Sequence, residues 1–270
     1  MSTLTVTTIQ PNLQWEDKTA NLRRLGDMID GIGGHTELVV LPEMFSTGFS
    51  MRPEALAEPM DGPTIGWMRS VAARKKIILT GSVIIEEEGH YFNRMVWMLP
   101  NGRHGYYDKR HRFAYAGEDD HYTAGQKRLV ASVKGWKILL LVCYDLRFPV
   151  WSRQQPLPPL SPEIPPAHEY DCIIYVANWP ERRSHAWKTL LLARAIENQS
   201  YVIGVNRVGD DGNNIAHTGD SMIIDPLGET LYHAAPKEEI FTITLEKQQL
   251  DTIRQRFPFW RDADHFYIEP

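Results

Sequence analysis

The sequence predicts an α/β protein in which two mixed sheets pack face to face with helices on the outside. Three observations carry that reading. Apolar runs of strand length, such as residues 38–41 and 138–142, are continuous rather than alternating, as in strands buried on both faces. Between the strands lie stretches with apolar residues at helical spacing. A β, β, helix, β order recurs in both halves without a strict repeat, which fits sheets in separate layers.

Taken in order, residues 4–9 alternate as a strand and Pro11-Asn12 ends it. Asp17 can cap a helix whose apolar face is Leu22, Leu25, Met28, Ile29 and Ile32. Gly31, Gly33 and Gly34 close that helix. They follow a helix and precede a strand, the reverse of a dinucleotide-binding loop. Residues 38–41 form a short buried strand ended by Pro42-Glu43, residues 63–75 a helix, and residues 77–85 a strand running into Glu86-Glu87-Glu88. Residues 91–99 return as a strand, and Asn101-Gly102 signals a hairpin into the segment ending at Asp108-Lys109. Residues 129–133 and 136–142 pair across Lys134-Gly135.

The second run stops at Cys143, and Pro149 is pre-shaped for the first turn of a helix, so the expected order is strand, sharp turn, helix. Six prolines then fall within residues 156–166, which rules out helix or central strand and predicts a stiff surface excursion. Residues 172–177 are a buried strand ending at Asn178-Trp179-Pro180. Ser184 can cap a helix to about Gln199, residues 201–205 are a strand, and residues 209–214 a loop. Strands at 221–224 and 240–245 flank a turn at Pro226-Leu227-Gly228, and an aromatic, charged tail covers residues 257–270.

The 270 residues with 43% hydrophobic content suit one large domain with a full core or two small ones. A net charge of -5 without long single-sign runs gives no nucleic-acid footprint. No apolar run approaches the ~20 residues of a bilayer span, and the N-terminus enters a strand pattern directly, unlike a signal peptide. Two cysteines, Cys143 and Cys172, do not make a disulfide scaffold, and the expectation is a soluble cytoplasmic protein.

Cys143 stands at the carboxyl end of a buried strand, where open α/β sheets collect ligands. A thiol attacks a carbonyl as thiolate and needs a base or a cation beside it. None of the ten histidines lies at a clean strand end, whereas Glu43 and Lys109 do. A carboxylate can take the thiol proton, and an ammonium can hold the thiolate and then an oxyanion, with the backbone N–H of Tyr144 as second donor. Taken singly, Cys143 is equally readable as a small core residue, and Glu43 and Lys109 as surface charges. Cys172, inside an apolar run, reads as core.

Leu41-Pro42-Glu43, Lys109-Arg110-His111, the run from Cys143 to Pro149 and Asn178-Trp179-Pro180 stand in the order of the nitrilase, or carbon-nitrogen hydrolase, superfamily. The chain resembles that family over essentially its whole length. The runs at 44–49, 193–199 and 206–209 resemble its omega-amidase branch, which hydrolyses 2-oxoglutaramate and similar α-keto acid amides. The resemblance implies a single domain over residues 1–270 with a four-layer α-β-β-α sandwich, and a homodimer built through helices and the 257–270 tail. It implies a catalytic triad carried by Glu43, Lys109 and Cys143, and a second glutamate near the substrate. That glutamate is assigned to Glu118, with Asp119 and Asp120 adjacent in an ambiguous stretch. The implied reaction forms a thioester on Cys143, releases ammonia and ends in hydrolysis, with no metal or organic cofactor.

A keto-acid amide needs a cation for its far carboxylate. Arg147 is the substrate-binding candidate beside Tyr144, Phe45 and Trp179, while Arg112, Arg182, Arg183, Phe113 and Tyr115 stay open. Arg147 is also readable as a structural partner beneath the turn. The proline-rich insert at 156–166 departs from the branch, whose corresponding link is compact. The rivals are a nitrilase, a carbamoylputrescine-type amidase or an acyltransferase with the same triad, a metal hydrolase using histidines with Asp210, Asp211 or Asp220, and a non-catalytic binding protein. No His-Glu-x-x-His or Cys-x-x-Cys spacing supports the metal reading.

Overall fold

Side-chain parity sorts the first half of the chain into layers. In the computed structural model, which describes residues 2–155, 167–264 and 266–268, one sheet runs β14 (Glu239–Glu246), β1 (Thr3–Gln10), β2 (Leu38–Val40), β3 (Ile78–Glu87), β4 (His90–Met98), β5 (His104–Asp108). Leu4, Val6, Leu38, Val40, Ile78, Met95 and Trp97 point to one side, and Ile9, Val39, Leu79, Val83, Val96 and Met98 to the other. The period of two along each strand forces this division. The second set packs under α1 (Lys18–Asp30) and α3 (Pro63–Lys75), and the short α2 (Pro53–Leu56) follows the turn after β2.

The other sheet runs β13 (Thr230–His233), β12 (Met222–Ile224), β9 (Tyr201–Val205), β8 (Cys172–Val176), β7 (Trp136–Val142), β6 (Leu129–Val133). Its three central strands are buried along their lengths save for Lys137, as continuous apolar runs require when both faces are covered. One face meets the first sheet. The other meets α6 (Ser184–Asn198), which approaches so closely that a Cβ on Gly204 would lie 2.5 Å from Leu191 and 2.9 Å from Trp187. The result is helix, sheet, sheet, helix. Each sheet holds a parallel trio, β1-β2-β3 or β7-β8-β9, flanked by antiparallel strands, so the recurrence read in the sequence is a recurrence of topology.

Several expected elements are adjusted. Ser184 is not the cap of α6 but its first residue, and its hydroxyl donates to Asp220 instead. The turn after Cys143 is a 3-10 turn, Cys143–Arg147, and the helix beyond it, α5 (Pro149–Ser152), has four residues. The turn at Pro226-Leu227-Gly228 joins β12 to β13, a strand absent from the sequence reading, while β14 crosses to the first sheet beside β1. The 209–214 loop is the tip of a small hairpin, β10 (Val208–Asp210) with β11 (Ala216–Thr218). Three helices were also unforeseen, α2, α4 (Glu118–His121) and α7 (Lys247–Arg256). The proline-rich stretch 156–166 lies outside the described residues. Among the described residues, no helix is long and apolar enough to cross a membrane.

Candidate active site

Three segments converge where the parallel strands end. Glu43 follows β2, Lys109 follows β5, and Cys143 ends β7. Glu43 and Glu118 are fully buried and Lys109 is 1% exposed. Lys109 Nζ donates to Glu43 Oε1 at 2.9 Å and to Glu118 Oε2 and Oε1 at 2.8 and 3.0 Å. Of the three acidic residues at 118–120, Glu118 turns inward while Asp119 and Asp120 are exposed.

Glu43 is held from three sides. Its Oε1 also accepts from Asn93 Nδ2 at 2.8 Å, and its Oε2 accepts from the Asn178 backbone N–H at 2.8 Å. A carboxylate has about four lone-pair sites, so roughly one remains for the Cys143 thiol, whose protonated form Glu43 favours. Burial and then the Glu43 charge push this thiol well above its ordinary pKa, with Lys109 opposing. The resting group is therefore a neutral thiol poised against a carboxylate. Burial disfavours the charge of Lys109, but the Glu118 and Glu43 carboxylates outweigh it and the group stays an ammonium. Burial raises the pKa of Glu118, chiefly against Lys109.

The nucleophile turn is tied to the lysine loop through Asp145, a fully buried carboxylate. Its Oδ1 accepts from the His111 N–H at 3.0 Å and contacts His111 Nδ1 at 2.8 Å. Its Oδ2 accepts from Tyr107 OH at 2.8 Å and from the Val142 N–H at 3.0 Å. Trp151 Nε1 in turn donates to Tyr107 OH at 2.9 Å, and His111 stacks on Phe148 at 3.8 Å. Cys143 itself sits at φ 45°, a left-handed conformation unusual for a side chain. The following N–H groups open a 3-10 turn, so that of Tyr144 has no partner within the turn.

Cys143, 9% exposed, forms part of the wall of a cavity of about 530 Å³. Tyr144, Trp179 and Arg147 line it too, as do Phe113, Tyr115, Arg182 and Arg183. Arg147 rests 5.1 Å over Trp179 and Arg183 4.9 Å over Phe113. Among the described residues no carboxylate pairs with Arg147, so the structural alternative for it lacks a partner. Phe45 is corrected. It is fully buried beneath the helices, 5.9 Å from Trp67, and Phe49 lines the cleft in its place with Lys109 Nζ 5.2 Å over its ring. Arg112 is also removed from the cleft, because it donates to the carbonyls of Asp119 and Tyr122. His217, held down to about 4 by burial and by Arg207, contributes a neutral ring to the wall.

Sequence reasoning missed Asn93 and Asp145. Asn93 carried a signal, since it shares its strand face with Met95 and Trp97, and a polar residue on an apolar stripe invites a reason. Asp145 stood inside the quoted run after Cys143 but gave no hint that it reaches 34 residues back to His111.

A thiol, an ammonium and two carboxylates gathered beneath one cleft, on this layered fold, is the equipment of hydrolases that open carbon–nitrogen bonds. Residues 5–255 match the carbon-nitrogen hydrolase family, and the chain belongs to it. It is 43% identical over 269 residues to Omega-amidase YafV of Escherichia coli K12, covering 99% of this chain and 100% of that protein. It is 28% identical over 261 residues to the 2-oxoglutaramate amidase of Bacillus subtilis 168, covering 96% of each. A CN-hydrolase superfamily protein of Xanthomonas campestris, solved with an arsenic adduct in its active site, superposes with TM-score 0.94 at 42% identity over the full length of both chains.

Proposed function

We propose that the protein hydrolyses the terminal amide of short dicarboxylic acid monoamides, preferably α-keto acid amides such as 2-oxoglutaramate, to the acid and ammonia. The observation that carries this is the buried Glu43–Lys109–Glu118 cluster behind Cys143, at one wall of a cavity whose rim holds arginines. The similarity to an omega-amidase and to a 2-oxoglutaramate amidase supports the substrate class.

Because the resting thiol is neutral, its proton passes to Glu43 as the sulfur attacks the amide carbon. The oxyanion takes the Tyr144 N–H and Lys109 Nζ, which turns one of its two bonds to Glu118 toward it. Collapse expels ammonia, protonated by Glu43, and leaves a thioester. Glu43 then takes a proton from water, hydroxide adds to the thioester, and the acid leaves as the proton returns to sulfur. Glu118 keeps Lys109 charged and in place throughout.

Ammonia release from 2-oxoglutaramate, glutamine and simple aliphatic amides tests the substrate class, and intact mass of a trapped acyl adduct tests the thioester. Near wild-type turnover by Cys143→Ala on every amide would overturn the scheme. We further infer a homodimer, supported by exposed Val150, Ile196 and Phe259 at α5, α6 and the tail, at 54%, 54% and 63% exposure. Sedimentation at monomer mass would remove that reading. Two free thiols support a reducing, cytoplasmic setting, which fractionation of cells would test.

A further inference from the structure

The three arginines of the cleft are not equivalent, and their surroundings single one out. Arg147, Arg182 and Arg183 share the cavity with Cys143, and among the described residues none of them pairs with a carboxylate. On another part of the wall Arg52 is already committed to Glu16 at 2.8 Å. Arg147 and Arg182 are exposed, whereas Arg183 is partly buried.

Arg183 is also the best fixed. Its backbone N–H donates to Pro180 O at 3.0 Å, and its carbonyl accepts from Trp179 Nε1 at 2.8 Å. Those bonds tie it to the same short segment in which Asn178 grips Glu43. Its guanidinium lies over the face of Phe113, which supports the flat ion, and its N–H groups find no acceptor among the described residues. Burial, Arg182 and Arg147 all disfavour its charge. Three cations crowded in a partly desolvated cleft, none of them paired with a carboxylate among the described residues, are stabilised by an anion arriving with the substrate.

We propose that Arg183, seconded by Arg147 on Trp179, is the specificity-determining residue that binds the substrate's far carboxylate, so that the cleft selects anionic keto-acid amides over neutral amides of the same length. This rests on the function proposed above and names the contact that sets its substrate class. Arg182, exposed and without an aromatic support, attracts the anion without holding it.

The test compares 2-oxoglutaramate with 4-oxopentanamide, which keeps the chain, ketone and amide but has methyl for carboxylate. Arg183→Gln is expected to lower the ratio of kcat/KM for the first to that for the second about 100-fold, mainly through KM, as loss of one partner of a charged pair predicts. Arg147→Gln lowers it about 10-fold, and Arg183→Lys, which keeps charge but not the fork, retains part of the preference. In the wild type, raising salt weakens turnover of 2-oxoglutaramate more than that of 4-oxopentanamide, a measurement that needs no variant. If the wild type shows no preference for 2-oxoglutaramate, the substrate reading falls and this inference with it. If the wild type shows the preference and Arg183→Gln keeps it, or loses both activities equally, the assignment of Arg183 alone is overturned.

Discussion

Lys109→Met keeps the length and the apolar stem of the side chain and removes its charge. The ammonium is 1% exposed, 2.9 Å from Glu43 and 2.8 Å from Glu118, and both carboxylates are fully buried. Removing one partner of a buried ion pair costs about 3–5 kcal/mol. Here it leaves two carboxylates sharing the Asn93 amide, and one of them takes a proton rather than remain charged beside the other. Glu118 is that group, since burial already raises its pKa and Lys109 is the main influence opposing the rise. A carboxyl whose folded pKa lies above its unfolded value binds a proton on folding. Its contribution is therefore whole below the unfolded pKa and is lost as pH climbs toward the folded one, at about 1.4 kcal/mol per pH unit for one proton. Urea unfolding at pH 5, 6.5 and 8 should show the gap between wild type and Lys109→Met widening with pH. Adding Glu118→Gln should close most of that widening. A gap that does not change with pH, or a double variant no more stable than the single at pH 8, would refute the picture of two buried acids held by one ammonium.

Other expectations follow from the same geometry. Asp145→Asn turns an amide NH₂ toward donors now satisfied by a carboxylate oxygen, so stability should fall by about 3 kcal/mol in urea unfolding and kcat should drop more than KM rises. Alkylation of Cys143 by iodoacetamide, followed by intact mass, should stay slow through pH 8 and climb only above about pH 9, because burial and Glu43 hold the thiol protonated; a plateau below pH 8 would contradict this. At φ 45° a Cβ is strained, so Cys143→Gly should be more stable than Cys143→Ala by about 1 kcal/mol, reversing the usual order.

The layers were legible because burial on both faces leaves a mark that polar, one-sided strands do not. β7, β8 and β9 are runs of Ile, Leu, Val and Tyr, and their limits were read to within a residue. β13, which is Thr230-Leu231-Tyr232-His233 and mostly exposed, has no such mark, and β10 and β11 have three residues each. Glu43, Lys109 and Cys143 could be picked out because each ends a strand, although bringing them together needed the family resemblance. Phe45 was misplaced for a local reason. Met44 adopts φ 43°, which turns the chain so that the next ring enters the helix layer against Gly81, where a Cβ would lie 2.7 Å from it. A left-handed residue other than glycine gives no warning in the sequence. Asp145 was hidden because its partners, Tyr107 and His111, belong to another sheet's edge.

Of the nine left-handed residues other than glycine among the described residues, two, Met44 and Cys143, adjoin the chemistry as a consequence of how the site is assembled. Met44 follows the carboxylate that receives the thiol proton, and Cys143 carries the thiol. Each such residue costs on the order of 1–2 kcal/mol, so each persists only where the surroundings leave no alternative. At Met44 the N–H donates to Ser82 Oγ at 2.8 Å, and the next N–H donates to Ser82 O at 3.1 Å. At Cys143 the preceding N–H is held by Asp145, and Arg194 Nη2 grips the Leu146 carbonyl at 2.6 Å from α6 behind the turn. The two strained turns are thus clamped separately, one by β3 of the first sheet and one by α6 outside the second. They meet at Glu43, whose carboxylate accepts from the Asn178 N–H and faces the thiol and whose carbonyl accepts from Asn178 Nδ2. The alignment of acid and thiol therefore depends on how the two sheets pack. Asp145, which spans from β7 to the loop after β5, is the buried link that sets that packing at the site.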